Sequence, residues 1–143
     1  MEQQKTLILI VDDNEVVVKT LSMKLKASGY EVVTAPDGSA AISSVRKQPP
    51  ALILLDISFP PDVAHGGGVS WDGFQILGWL NRMEEAKNVP VIIITGSDSP
   101  RLKERAMASG AAAFFQKPVD NDELVAAVQK ILGPRPQETT TAA

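Results

Sequence analysis

Short apolar runs separated by stretches of helical period set the rhythm of this chain. Leu7-Ile8-Leu9-Ile10-Val11, Ala51-Ile53-Leu55 with the leucines between them, Val91-Ile92-Ile93-Ile94 and Ala112-Ala113-Phe114-Phe115-Gln116 are strand-sized, and 31–34 forms a shorter fifth run. Ile8-Leu9-Ile10 and Ile92-Ile93-Ile94 are apolar at every position, as expected of strands covered on both faces in a parallel sheet. Over 14–28, Val17, Leu21 and Leu25 fall four apart and share one helix face, and Gly29 follows where a C-terminal cap belongs. A second helix is predicted over 38–47, stopped by Pro49-Pro50, and a third over 73–85 with Phe74, Leu77 and Leu80 inward. A fourth spans 100–109 with Ser97 or Ser99 as N-cap and Gly110 beyond it. The fifth spans 121–132, with Leu124, Val128 and Ile131 on one stripe and Gly133-Pro134 as the stop. Alternation of strand and helix predicts an α/β domain: a parallel sheet with helices on both faces.

Residues 5–132 are expected to form that single domain, and 133–143, without apolar period, a disordered tail. At 143 residues the chain has room for one full core. A formal charge of −3 and the lack of a Lys/Arg cluster argue against direct nucleic-acid binding. Cysteine is absent, which excludes disulfides, thiolate metal sites and cysteine nucleophiles. The apolar runs are too short to span a membrane, and the N-terminus lacks a signal-peptide core, so a cytoplasmic location is expected.

Four of the runs lead into residues with chemistry. The first ends at Asp12-Asp13, the third at Asp56, the fourth at Thr95 and the fifth at Lys117-Pro118. If these strands are parallel neighbours, three carboxylates, a hydroxyl and an ammonium meet at one edge of the sheet, where open α/β sheets place ligands. Clustered carboxylates repel and must share a proton or a cation. Oxygen donors without cysteine suit a hard ion such as Mg²⁺, whose usual partner is a phosphoryl group. Lys117 supplies positive charge for phosphate oxygens and Thr95 a hydroxyl donor, so Asp56 could act as the nucleophile toward phosphorus. The plainer reading of Asp12 and Asp13 is as caps of the helix that begins near Asn14.

In these motifs the chain resembles the receiver domain of two-component response regulators, over roughly residues 5–132. The resemblance implies a flavodoxin-like, doubly wound sheet of five parallel strands in the order 2-1-3-4-5, with five helices. Asp12, Asp13 and Asp56 would be the Mg²⁺ ligands, with the Ser58 backbone carbonyl completing the set. Asp56 would be the phosphoacceptor, Lys117 the phosphate-binding lysine (its bond to Pro118 typically cis), and Thr95 with Phe114 the switch pair. The donor would be a sensor histidine kinase or a histidine phosphotransfer protein in a phosphorelay. The helix 4, strand 5 and helix 5 surface would meet a downstream protein target or a second copy. Such a protein catalyses only its own phosphorylation and dephosphorylation and is not otherwise an enzyme. With no output domain behind the motif set, a stand-alone receiver is expected.

One departure is marked. The family opens its third helix on an Asp-Gly about seven residues past the acceptor, whereas Asp72-Gly73 comes about sixteen past Asp56. The connection is long for an α/β unit, where about 2–6 residues is usual. It carries Gly66-Gly67-Gly68, which lacks the Lys-Ser/Thr ending of a phosphate loop, and His65, the sole histidine. It is expected to affect donor access or partner contacts. Two other function classes share this layout. A phosphohydrolase with an aspartate nucleophile usually carries a second acid where this chain has Ser58. A flavin binder needs a phosphate loop where it has Asp12-Asp13-Asn14.

Overall fold

The computed structural model describes residues 6–57, 73–96, 100–117 and 119–133. In chain order the elements are β1 (Leu7–Val11), α1 (Glu15–Ala27), β2 (Glu31–Ala35), α2 (Gly38–Lys47), β3 (Leu52–Asp56), α3 (Gly73–Arg82), β4 (Val91–Thr95), α4 (Pro100–Ala108), β5 (Ala113–Gln116) and α5 (Asn121–Leu132). The five strands are parallel and ordered β2-β1-β3-β4-β5, as the family resemblance implied. No described helix is long and apolar enough to cross a membrane.

The central strands β1, β3 and β4 are buried at all five positions, which explains their unbroken apolar sequences. Alternating side chains divide the core into two layers. On one face Ile8, Ile10, Leu52, Leu54, Ile92 and Ile94 meet Leu21 and Leu25 of α1 and Leu124 and Val128 of α5. On the other, Leu9, Val11, Ile53, Leu55 and Ile93 meet Ala41 and Val45 of α2, Leu77 and Leu80 of α3 and Ala106 of α4. Each fully buried aliphatic side chain contributes about 1.5–3 kcal/mol, so this double layer supplies the stability that the polar edge does not.

Local signals set the helix ends. Asn14 accepts hydrogen bonds from the Val16 and Val17 N–H groups, Asp37 from Ala40, and Asp120 from Asp122 and Glu123. Gly29 follows α1 at φ 98° and Gly110 follows α4 at φ 96°, in the left-handed region where glycine carries no Cβ penalty. The third helix ends earlier than its periodicity suggests. Met83 turns extended (φ −82°, ψ 133°) and buries its side chain, and Glu84–Ala86 form a separate 3₁₀ turn. Burial of Met83 outweighs continued helix there. The Ser97 and Ser99 caps, the connection at 58–72, Pro118 and the tail from 134 lie outside the described residues.

Leu54→Ala, in the middle of the sheet, should cost about 2–5 kcal/mol in urea unfolding. Met23→Ala, on the exposed side of α1, should stay within about 0.5 kcal/mol of the parent.

Candidate functional site

Register decides what meets at the carboxyl edge of the sheet. Val11 lies beside Leu55, Asp56 beside Ile94, and Thr95 beside Gln116. Asp12, Asp56, Thr95 and Lys117 therefore leave their strands at nearly one level. The alternation of side chains then sorts them. Asp12 follows the phase of Ile8 and Ile10, Asp56 that of Leu52 and Leu54, and Lys117 that of Ala113 and Phe115, all on the α1/α5 face. Thr95 follows Val91 and Ile93 on the opposite face.

The three residues in phase make contact. The Lys117 ammonium donates to Asp56 Oδ2 at 3.0 Å and to Asp12 Oδ2 at 3.1 Å. Both carboxylates are only 4% exposed, and Thr95 is fully buried. Asp12 keeps its second oxygen occupied, since Oδ1 accepts the Asn14 N–H at 2.8 Å. Backbone bonds lock the frame: the Ile57 N–H donates to the Ile94 carbonyl at 3.0 Å and the Lys117 N–H to the Thr95 carbonyl at 2.7 Å. Asp13 is exposed, yet one carboxylate oxygen from each of Asp12, Asp13 and Asp56 falls within 4.8 Å of the others. An all-oxygen set of this kind fits a hard divalent cation.

The charges are in tension. Burial raises the Asp12 carboxyl above its ordinary 3.8; the Asn14 N–H opposes this, the Asp56 charge adds to the rise, and Lys117 relieves part of it. Burial works against the Lys117 ammonium, but its hydrogen bonds to Asp56 and Asp12 outweigh that, and its pKa is raised. Asp12 and Asp13 do not cap α1. Asn14 does so with its side chain while its N–H orients Asp12, a double role that the sequence reading overlooked. The signal was present, because asparagine is a favoured N-cap and directly precedes the helical period. Phe114 is half-buried and packs against the α2/α3/α4 layer, in phase with Thr95. Ser58 lies outside the described residues.

The raised Asp12 pKa has a defined sign. Its ionised form is penalised in the fold, so the cost is present above the raised pKa and disappears as pH falls toward 3.8. Asp12→Asn, which leaves Lys117 paired with Asp56, should therefore raise the thermal midpoint at pH 7 in chelator. The gain should shrink as the pH is lowered through the carboxyl's range, as followed by circular dichroism.

Comparison with known proteins agrees with this geometry. Residues 8–129 match the family model of the response regulator receiver domain. Response regulator PleD of Caulobacter vibrioides is 36% identical over 124 residues, covering 87% of this chain but 25% of PleD, so the chain spans a quarter of that relative's length. Polar-differentiation response regulator DivK of Brucella ovis is 30% identical over 126 residues, covering 88% of this chain and 95% of DivK. The receiver domain of sensor histidine kinase PA1611 from Pseudomonas aeruginosa PAO1, whose structure has a magnesium ion coordinated in the active site cleft, superposes with a TM-score of 0.76. It is 26% identical, and the match covers 92% of this chain and 100% of that one. The chain belongs to the response regulator receiver domain family of two-component signalling.

Proposed function

We propose that this protein is a phosphoacceptor switch in which Asp56 takes a phosphoryl group from a phosphohistidine. The supporting observation is the Lys117 ammonium seated between buried Asp56 and Asp12, at 3.0 and 3.1 Å, with Asp13 at the rim. The donor is a sensor histidine kinase or a histidine phosphotransfer protein. Asp12, Asp13 and Asp56 would hold Mg²⁺ together with the Ser58 carbonyl. Bound there, the ion would neutralise charge on the acids and on the phosphoryl oxygens.

The chain's own groups account for the remaining steps. An Asp56 carboxylate oxygen attacks phosphorus, the new O–P bond forms as the P–N bond breaks, and the histidine leaves as imidazole after taking up a proton. Lys117, already within hydrogen-bond distance of Asp56, passes to a phosphoryl oxygen and balances the charge that builds there. Water later cleaves the acyl phosphate to inorganic phosphate and restores the carboxylate. The protein thus acts only on itself.

The switch follows from the face that Thr95 occupies. Its hydroxyl turns toward the phosphoryl group, and Phe114, in phase with it on the next strand, moves into the space released. That changes the α4, β5 and α5 surface, where a downstream protein target or a second copy docks. A gap of a few kcal/mol between two states is enough for one added phosphoryl group to shift their populations. The cytoplasm, where kinase domains meet their receivers, is the location this reading assigns.

With Mg²⁺ and either acetyl phosphate or a cognate kinase, the protein should form an acid-stable, base-labile adduct, and Asp56→Asn should form none. Lys117→Ala should slow labelling by roughly a hundredfold or more. Thr95→Ala should accept the label while the NMR signals of Phe114 and α4 stay in place. An unlabelled wild type, or equal labelling of Asp56→Asn, would sink the reading.

A further inference from the structure

Strand β2 forms one edge of the sheet, and among the described residues its backbone pairs only with β1. The ladder uses alternate residues. The Glu31 N–H donates to the Thr6 carbonyl at 2.8 Å, and the Ala35 carbonyl accepts from the Asp12 N–H at 3.1 Å. Backbone groups along a strand alternate in direction, so the N–H and C=O of Val32 and Thr34 point away from β1. Both residues line a groove of about 640 Å³ whose walls come from opposite faces of the sheet. Ser22 and Lys26 of α1 stand on one side, and Ser43, Ser44 and Lys47 of α2 on the other. The small serine side chains leave the strand edge within reach.

Outward N–H and C=O groups on an edge strand are a template for another strand. The two ammonium groups decide what such a strand can carry. Lys26 and Lys47 are exposed, one on each wall, and neither forms an ion pair among the described residues. We propose that the β2 edge docks an extended acidic segment of a partner protein, which pairs along 32–34 and directs carboxylates to Lys26 and Lys47. A second copy of the chain fits poorly, because joining two β2 edges would bring four lysines together. The groove lies at the opposite edge of the sheet from β5, so the proposal does not depend on the phosphoryl chemistry.

The test is an NMR titration of the whole chain with a capped peptide of about eight residues, alternating valine or threonine with glutamate. Saturable shifts should centre on the Val32 and Thr34 amides, and exchange of those two N–H groups with solvent should slow. Thr34→Pro removes one outward donor without touching the β1 ladder and should weaken binding about fivefold or more. Lys26→Glu combined with Lys47→Glu keeps every backbone group and should abolish binding with an unchanged circular dichroism spectrum, so the test survives if the proline variant does not fold. A peptide with lysine in place of glutamate should not bind. Absence of a saturable shift with the acidic peptide, equal binding of the basic one, or self-association through β2 in place of peptide binding overturns the proposal.

Discussion

Asp12 and Asp56 are buried at the ends of adjacent strands, and the Lys117 ammonium is held between them. Two unit charges at about 4.8 Å, the outer limit for these acids, repel by about 3 kcal/mol at an effective dielectric near 20. The lysine opposes that repulsion, yet the Asp12 pKa stays raised, chiefly because burial penalises its charge and secondarily because Asp56 repels it. Asp13 adds a third negative charge at the rim. The edge of the sheet is therefore built to gain positive charge, and a divalent cation or a rearrangement around a phosphoryl group would each use that deficit.

A site under such tension has to be imposed by the rest of the fold. Three strands buried along their whole length, with an aliphatic layer on each face, hold the acids at one level. The same alternation that fills the two layers also separates the site's parts. Asp12, Asp56 and Lys117 fall on the α1/α5 side, while Thr95 and Phe114 fall on the other. Charge neutralisation and the proposed shape change thus belong to different faces of one sheet, joined by the Lys117 N–H bond to the Thr95 carbonyl. The phosphoryl group proposed for Asp56 would then have a short physical route to Thr95 and to the α4 side of the sheet.

Much of this was legible in the chain because it depends on short-range pattern. Unbroken apolar runs announced the doubly covered strands, and α2 and α5 occupy the predicted spans. The convergence of Asp12, Asp56, Thr95 and Lys117 needed only a parallel sheet and strands of similar length. What escaped depends on detail that periodicity does not carry. Met83 is apolar and reads as more helix, yet its burial in an extended conformation ends α3 at Arg82. Asn14 is obscured as a cap in the sequence by the two acids before it, which are themselves favoured N-cap residues. Pairing of Lys117 with Asp12 as well as Asp56 follows from side-chain phase and register together, and register is set by the whole core. The β2 groove depends on small residues in α2 lying beside an edge, which no local motif marks.

The claim that the acid edge is a cation-dependent site is tested most directly by calorimetric titration of Mg²⁺ at neutral pH. The account predicts one saturable site per chain, weakened at least about tenfold by Asp13→Asn and by Asp56→Asn, since even outer partners of a metal cost that much. Absence of saturable binding, or binding indifferent to both substitutions, would contradict it.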